Sequence, residues 1–229
     1  MKANKLFNKL CNSLFPCRCP YCNSIIQNSK ALCEECYNKD EIENIVTKLI
    51  NSKNVSPYKY DGVHKEAILR LKFNNCTGYA EQLAMQMSEA IKNKYSEYLK
   101  GDNIFHYITY VPCTKKKLRK RGFNQSQLLA KYIAMNLDLE YFPVLIKTKE
   151  NDIQHNLPKE KRKSNVEDVF DVDPKYPVKD KRILLIDDIL TTGSTLNECV
   201  KVLHKNGAKN ICCATYTTVV ISEKIRGKP

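Results

Sequence analysis

Apolar positions along this 229-residue chain change their period several times, and each change predicts an element. Leu6, Phe7, Leu10 and Leu14 recur at helical spacing and predict a short amphipathic helix within residues 1–15. The period returns at Ile42, Ile45, Val46 and Leu49, so a helical segment is expected between residue 40 and Ser56-Pro57. Tyr58–Tyr60 reads as a short strand, with Asp61-Gly62 as its turn. Val63, Ala67, Ile68 and Leu71 then make one helical face that closes at Lys72-Phe73. A longer helix is expected over about 77–99, with Leu83, Met87, Ile91 and Tyr95 on one side.

His106–Val111 is aromatic and β-branched, a strand closed by Pro112-Cys113, and Leu128, Leu129, Tyr132 and Ile133 restart a helix. Residues 147–180 are polar and carry three prolines. So long a loop in a compact domain is a lid, a binding loop or disorder. Ile183-Leu184-Leu185-Ile186 is apolar without alternation and too short for a helix, the pattern of a strand buried on both faces of a parallel sheet. Leu196, Cys199, Val200 and Leu203 follow on a helix that Gly207 ends, and Ile211–Val220 reads as the last strand before a frayed tail from Ser222. Strands alternating with helices define an α/β fold with a mostly parallel, doubly wound sheet.

The chemistry concentrates at residues 183–195. Asp187 and Asp188 follow the apolar run, at the carboxyl end of a strand, where open α/β sheets place their ligands. Thr191-Thr192-Gly193-Ser194-Thr195 then leads into a helix. Exposed backbone N–H groups, the positive end of the helix dipole and the hydroxyls together make a cradle for phosphate. Two carboxylates repel that phosphate, so their own partners are sugar hydroxyls or a divalent cation. The nucleotide loop that ends in Gly-Lys-Ser/Thr is excluded, because no Lys follows Gly193.

A second strand-to-helix passage is basic. Lys115–Lys120 and Arg121-Gly122-Phe123-Asn124-Gln125 read as a loop, with Gly122 allowing close backbone approach. Arg121 as a planar donor fork, with Asn124 and Gln125 as neutral donors, suits a diphosphate. The lysines of 115–120 fit a solvated charge run equally well.

Eleven cysteines, an odd count beside a core-forming domain with 42% hydrophobic residues, do not fit a secreted disulfide scaffold. Six precede residue 40, and Cys76, Cys113, Cys199, Cys212 and Cys213, scattered among apolar neighbours, read as core thiols. Cys19-x-x-Cys22 and Cys33-x-x-Cys36 are two knuckles able to close a tetrahedral zinc site, structural rather than catalytic. Asn23 is suited to the left-handed turn after the first knuckle, and Cys17 is an alternative to Cys19. A formal net charge of +13 points to anionic partners, a phosphorylated ligand or nucleic acid. The chain has no apolar run of membrane-spanning length, and a cytoplasmic protein is expected.

Residues 183–195 closely resemble the phosphoribosyl diphosphate (PRPP) motif of type I phosphoribosyltransferases: four hydrophobics, two acids, two variable residues, then Thr-Thr-Gly-small-Thr. The wider order is similar to the ComF family across nearly the whole chain. It runs through the cysteine knuckles, Leu71-Lys72-Phe73, Val111-Pro112, Arg121–Gln125, Gln154 and Leu157 with Arg162 and Asn165, and then the PRPP motif. Cys113, where a larger apolar residue is usual, and the additional Cys17 depart from that pattern.

The resemblance implies a type I phosphoribosyltransferase fold over 46–229 behind a small N-terminal zinc domain at 1–45, in a protein tied to DNA uptake during transformation. It implies that Asp187 and Asp188 are catalytic and hold the ribose hydroxyls and Mg²⁺, with Thr191, Thr192, Gly193, Ser194 and Thr195 on the 5-phosphate. It further implies that Arg121–Gln125 contact pyrophosphate, that a flexible loop at about 149–168 with Gln154, Arg162 and Asn165 closes over the site, and that Cys19, Cys22, Cys33 and Cys36 hold structural Zn²⁺. Three functions fit: a transferase acting on a nitrogenous acceptor, a PRPP- or single-stranded-DNA-binding module without turnover, and an adaptor for DNA-uptake proteins docking through residues 1–40.

Overall fold

In the computed structural model of the chain, the structure describes residues 18–26, 32–73, 77–149 and 169–219. The elements run α1 (Glu34–Tyr37), β1 (Ile45–Leu49), β2 (Ser52–Ser56), β3 (Tyr58–Lys59), α2 (Gly62–Phe73), α3 (Tyr79–Tyr95), β4 (Tyr107–Tyr110) and α4 (Lys115–Arg121). They continue with α5 (Gln125–Leu137), β5 (Leu145–Lys147), β6 (Phe170–Val172), β7 (Arg182–Leu190), α6 (Ser194–Lys205) and β8 (Asn210–Thr218).

β7 is the centre. The main sheet has the order β1-β2-β8-β7-β4, with β3 continuing beyond Pro57 along the same edge of β8 as β2. All pairs are parallel except the β1–β2 hairpin. The unbroken apolar run is explained by its two neighbours. Leu184 and Ile186 enter one core with Ile68 and Leu71 of α2, Met87 of α3 and Leu129 of α5. Ile183 and Leu185 enter a second core with Leu196, Cys199, Val200 and Leu203 of α6. Helices on both faces leave no side of the strand for polar residues.

The strand continues past the apolar residues through both aspartates to Leu190. On one side it stays paired with β8 as far as Leu190 opposite Thr218. On the other, β4 ends at Tyr110 opposite Ile186, and Val111 N–H makes one more bond to Ile186 O (3.0 Å). Pro112 has no N–H to extend the ladder. Asp187 and Asp188 therefore lie on a strand opened along one edge.

Two expectations change. Residues 42–49 are not helical: Ile45–Leu49 is a strand turning at Ile50-Asn51, with Asn51 at φ +59°, into β2. Ile45-Val46-Thr47 is β-branched, and the buried side chains of β2 are partly polar, which hid the strand period. Asn54 Nδ2 donates to Ser56 Oγ (2.9 Å) and Thr215 Oγ1 (3.0 Å), so these side chains pair with one another inside the sheet. The basic segment 115–121 is a short helix rather than a loop. Thr114 Oγ1 caps it, accepting from Lys117 N (3.1 Å), and Gly122 at φ +78° ends it. None of its side chains is buried, so no apolar period announced it.

The other helices fall close to expectation. Residues 79–95 form α3, followed by two short 3₁₀ turns, and Gly207 at φ +86° follows α6. β5 and β6 pair antiparallel, and Thr148 N–H donates to Val169 O (2.9 Å), so the segment between them leaves and re-enters at one place. The expected helix at 1–15, Cys11, Cys17 and Cys76 lie outside the described residues, as do Gln154, His155, Leu157, Arg162, Asn165 and the tail from Ser222. Among the described residues no helix is long and apolar enough to cross a membrane.

Candidate functional site

A cavity of about 500 Å³ opens where β4 stops and β7 continues, walled by the ends of α2, α4, α5 and β6. The two aspartates in it have different environments. Asp187 Oδ1 accepts from Ser126 Oγ (2.7 Å) at the start of α5 and from Asp188 N (2.9 Å). Burial, and after it the charge of Asp188, push Asp187 up to about 7, against these hydrogen bonds and the charge of Lys72. Asp188 is ion-paired instead, its Oδ2 lying 2.8 Å from Lys72 Nζ in the last turn of α2. Two adjacent carboxylates, one of them reluctant to ionise, form a donor set suited to a cation or a vicinal diol.

The hydroxyl segment turns at Gly193, whose φ of +76° is open to glycine and strained for other residues. A Cβ there would also stand 3.1 Å from Leu49 Cδ2. Thr192 Oγ1 lies 3.0 Å from Ser194 Oγ, and Thr191–Thr195 border a small cleft at the amino end of α6. Gly193 occupies the N-cap position and supplies no side-chain cap, and the first amide, Ser194 N–H, makes only a long bond to Thr192 Oγ1 (3.4 Å), so this helix end can still receive an anion. Thr191 and Thr195 also border the large cavity, so cleft and cavity are continuous.

Across the cavity, the Arg121–Gln125 segment divides its labour. Arg121 lies over the Phe73 ring (5.0 Å) and donates from Nη1 to Gln125 Oε1 (3.0 Å). Gln125 Nε2 is a buried donor with no hydrogen-bond partner, and an anion in the cavity would satisfy it. Asn124 is committed to the scaffold: its Oδ1 caps α5 at Ser126 N (3.0 Å), and its Nδ2 donates to Val111 O (3.0 Å). Gly122 provides the turn and Phe123 packs against the first core. Ser126 and Lys147 were not singled out from sequence, Lys117 figured only within the 115–120 basic run, and Lys72 was given no role of its own. Ser126 directly follows the Arg121–Gln125 block, and Lys72 lies within Leu71-Lys72-Phe73, which were the available signals. Cys113 departs from the core-thiol expectation, being partly exposed in the cavity wall, whereas Cys199, Cys212 and Cys213 are buried.

The four cysteines form a separate cluster. Asn23 turns at φ +66°, and Asn23 N–H donates to Cys19 O (2.9 Å), folding the first pair into a knuckle. The Sγ atoms of Cys19, Cys22, Cys33 and Cys36 all lie within 4.8 Å of one another. A tetrahedral ion with bonds of about 2.3 Å to sulfur places its ligands about 3.8 Å apart, so the set fits. Hydrogen bonds from Ser24 lower Cys22 to about 6, while burial and then Cys33 and Cys22 push Cys36 up. The cluster could hold a metal ion, whose charge would favour the thiolate form of all four.

The cluster is fastened to the sheet through Tyr21, between its first two cysteines. Tyr21 Oη lies 3.1 Å from Tyr216 Oη of β8 and donates to Asp40 Oδ1 (3.1 Å). Tyr58 Oη and Gln86 Nε2 each donate to Asp40 Oδ2 (2.7 Å). Burial would raise Asp40, but His64 and these neighbours outweigh it and hold the carboxyl below its usual range.

An open-edged parallel sheet with an acidic pair and a hydroxyl turn at its carboxyl end, behind a four-cysteine cluster, makes this a protein of the phosphoribosyltransferase fold. The phosphoribosyl transferase domain family matches residues 124–224. DNA utilization protein YhgH of Escherichia coli (strain K12) is 27% identical over 192 residues, covering 83% of this chain and 79% of that one. Competence protein F of Haemophilus influenzae is 32% identical over 147 residues, 63% of each chain. Competence protein ComFC of Streptococcus pneumoniae is 29% identical over 154 residues, 67% of this chain and 63% of that one. The chain is a homologue of these proteins and carries a phosphoribosyl transferase domain.

Proposed function

We propose that the chain binds PRPP with Mg²⁺ and transfers its phosphoribosyl group to a nitrogenous acceptor, in the service of DNA uptake during natural transformation. The observation that carries this reading is the convergence of three ligand surfaces on one cavity: the Asp187–Asp188 edge, the Thr191–Thr195 cleft, and Arg121 with the unpartnered Gln125 amide. Their order matches the ligand. The 5-phosphate lies on the amides and hydroxyls of 191–195, the ribose hydroxyls face Asp187 and Asp188, and the diphosphate lies toward Arg121 and Gln125. Asn124 and Ser126 hold these groups in place.

A nitrogen lone pair attacks the anomeric carbon while the bond to the diphosphate oxygen breaks and takes its electron pair with it. The attacking nitrogen then releases its proton. Residues at the two ends act by electrostatics, stabilising an oxocarbenium-like centre and a departing polyanion. Mg²⁺, when bound, supplies positive charge to the diphosphate, and the two carboxylates fit such an ion. Residues 1–45 serve as a structural zinc unit held by Cys19, Cys22, Cys33 and Cys36, and 46–229 as the transferase domain. The 149–168 segment serves as the loop that excludes water from the site.

The test is diphosphate release from PRPP and Mg²⁺ across a panel of nitrogen bases and amines. Acceptor-dependent release is expected from the wild type and not from Asp187→Asn/Asp188→Asn, which stays folded. Equal release from both removes the site assignment. One observation favours a second reading, a PRPP- or single-stranded-DNA-binding regulatory module without turnover: the basic residues of 115–120 in α4 are exposed, and Lys117 among them borders the cavity. Steeply salt-dependent DNA binding with no release for any acceptor would support it.

A further inference from the structure

Among the described residues Lys72 is the cation paired with the acidic pair, and the fold goes to some length to place it. It occupies the last turn of α2, whose Ala67, Ile68 and Leu71 are buried in the first core. Two residues earlier, Arg70 Nη1 donates to the carbonyls of Pro20 and Tyr21 (both 2.7 Å), in the knuckle of the cysteine cluster. The backbone at Lys72 is thus anchored from both sides, while its ammonium sits on a flexible four-carbon stem. The ion pair with Asp188 is largely shielded, the two side chains being 16% and 12% exposed, yet both groups border the cavity.

A shielded ion pair is a poor stabilising device, because desolvation offsets much of the attraction. It is an effective placeholder, because either partner can be exchanged for a ligand of the same sign. We propose, resting on the PRPP reading above, that Lys72 is a ligand-binding residue: it neutralises Asp188 in the free protein and transfers its ammonium to the diphosphate when ribose hydroxyls or Mg²⁺ take the carboxylate. With Mg²⁺ on the carboxylate the exchange keeps both charges paired, and with ribose hydroxyls it leaves the carboxylate hydrogen-bonded. It also places a second cation beside Arg121, whose neighbour Phe73 directly follows Lys72.

The alternative is that Lys72 serves only to balance Asp188. A double-mutant cycle separates the two, with inorganic diphosphate and PRPP as titrants and thermal melting as the check on folding. In Asp188→Asn the pair is already broken, so a lysine that only balanced Asp188 has nothing left to do. There, adding Lys72→Met is expected to weaken inorganic diphosphate binding by about tenfold, a loss of the size expected for one charge-assisted contact. The double variant replaces the pair with neutral groups of similar volume, so it folds even where Lys72→Met alone does not. A silent Lys72→Met in the Asp188→Asn background, with PRPP still bound by the wild type, overturns this inference and leaves the site reading intact. A wild type that binds neither PRPP nor diphosphate takes both down.

Discussion

Ser126→Ala isolates the electrostatics of the acidic pair. The Ser126 hydroxyl donates to Asp187 Oδ1 at 2.7 Å and is among the groups holding that carboxyl down against burial, which has pushed it up to about 7. A hydrogen bond to a charged group contributes about 1.5–3 kcal/mol, so its loss raises Asp187 by a further ~1–2 units. At pH 7 the ionised fraction falls from about one half to ~0.01–0.1, and if PRPP binds the ionised form its affinity drops by ~5–50-fold. At pH 9 Asp187 is ionised in the wild type and about half to nine-tenths ionised in the variant, and the ratio shrinks to about 1–2. The assay is calorimetric titration with PRPP and Mg²⁺ on both proteins at the two pH values. The ligand's own phosphates titrate identically in each comparison and cancel in the ratio. A deficit that persists unchanged at pH 9, or no deficit at pH 7, refutes the assignment of Asp187 as an ionised ligand group.

Gly193→Ala is expected to cost about 1–2 kcal/mol through its left-handed backbone, with a fall in melting temperature of ~2–8 °C. It should also abolish most PRPP affinity; normal binding would remove the 191–195 turn from the site. Arg121→Ala should weaken diphosphate binding about tenfold with little change in melting temperature, since its partners are the Phe73 face and Gln125. Metal analysis should find one zinc per chain. Cys22→Ser should lose it and lower the melting temperature, because Tyr21 and Arg70 link the knuckle to β8 and α2; a metal-free protein of unchanged stability contradicts the knuckle assignment.

The sequence made the centre of the fold legible because β7 is buried on both faces, and such a strand has a signature no surface element imitates. The same logic failed at β2, where Asn54 and Ser56 are buried but bonded to each other and to Thr215, so burial left no apolar trace. It failed at α4, which buries no side chain and has only its caps, Thr114 and Gly122, to mark it. Within the site, groups local to a motif could be read from their neighbours. Lys72 and Ser126 lie in or beside motifs, but their partners could not be read there, because each meets its aspartate across the tertiary fold from a different helix. Asn124 was identified as a position of importance, but its work is structural, capping α5 and holding Val111.

The most direct test of the central claim is calorimetric titration of the wild-type protein with PRPP, with and without Mg²⁺, at two salt concentrations. Saturable binding at one site per chain that requires Mg²⁺ is the predicted result. No binding under either condition would contradict it, and would mean that the acidic pair, the hydroxyl turn and Arg121 converge on that cavity for some other ligand.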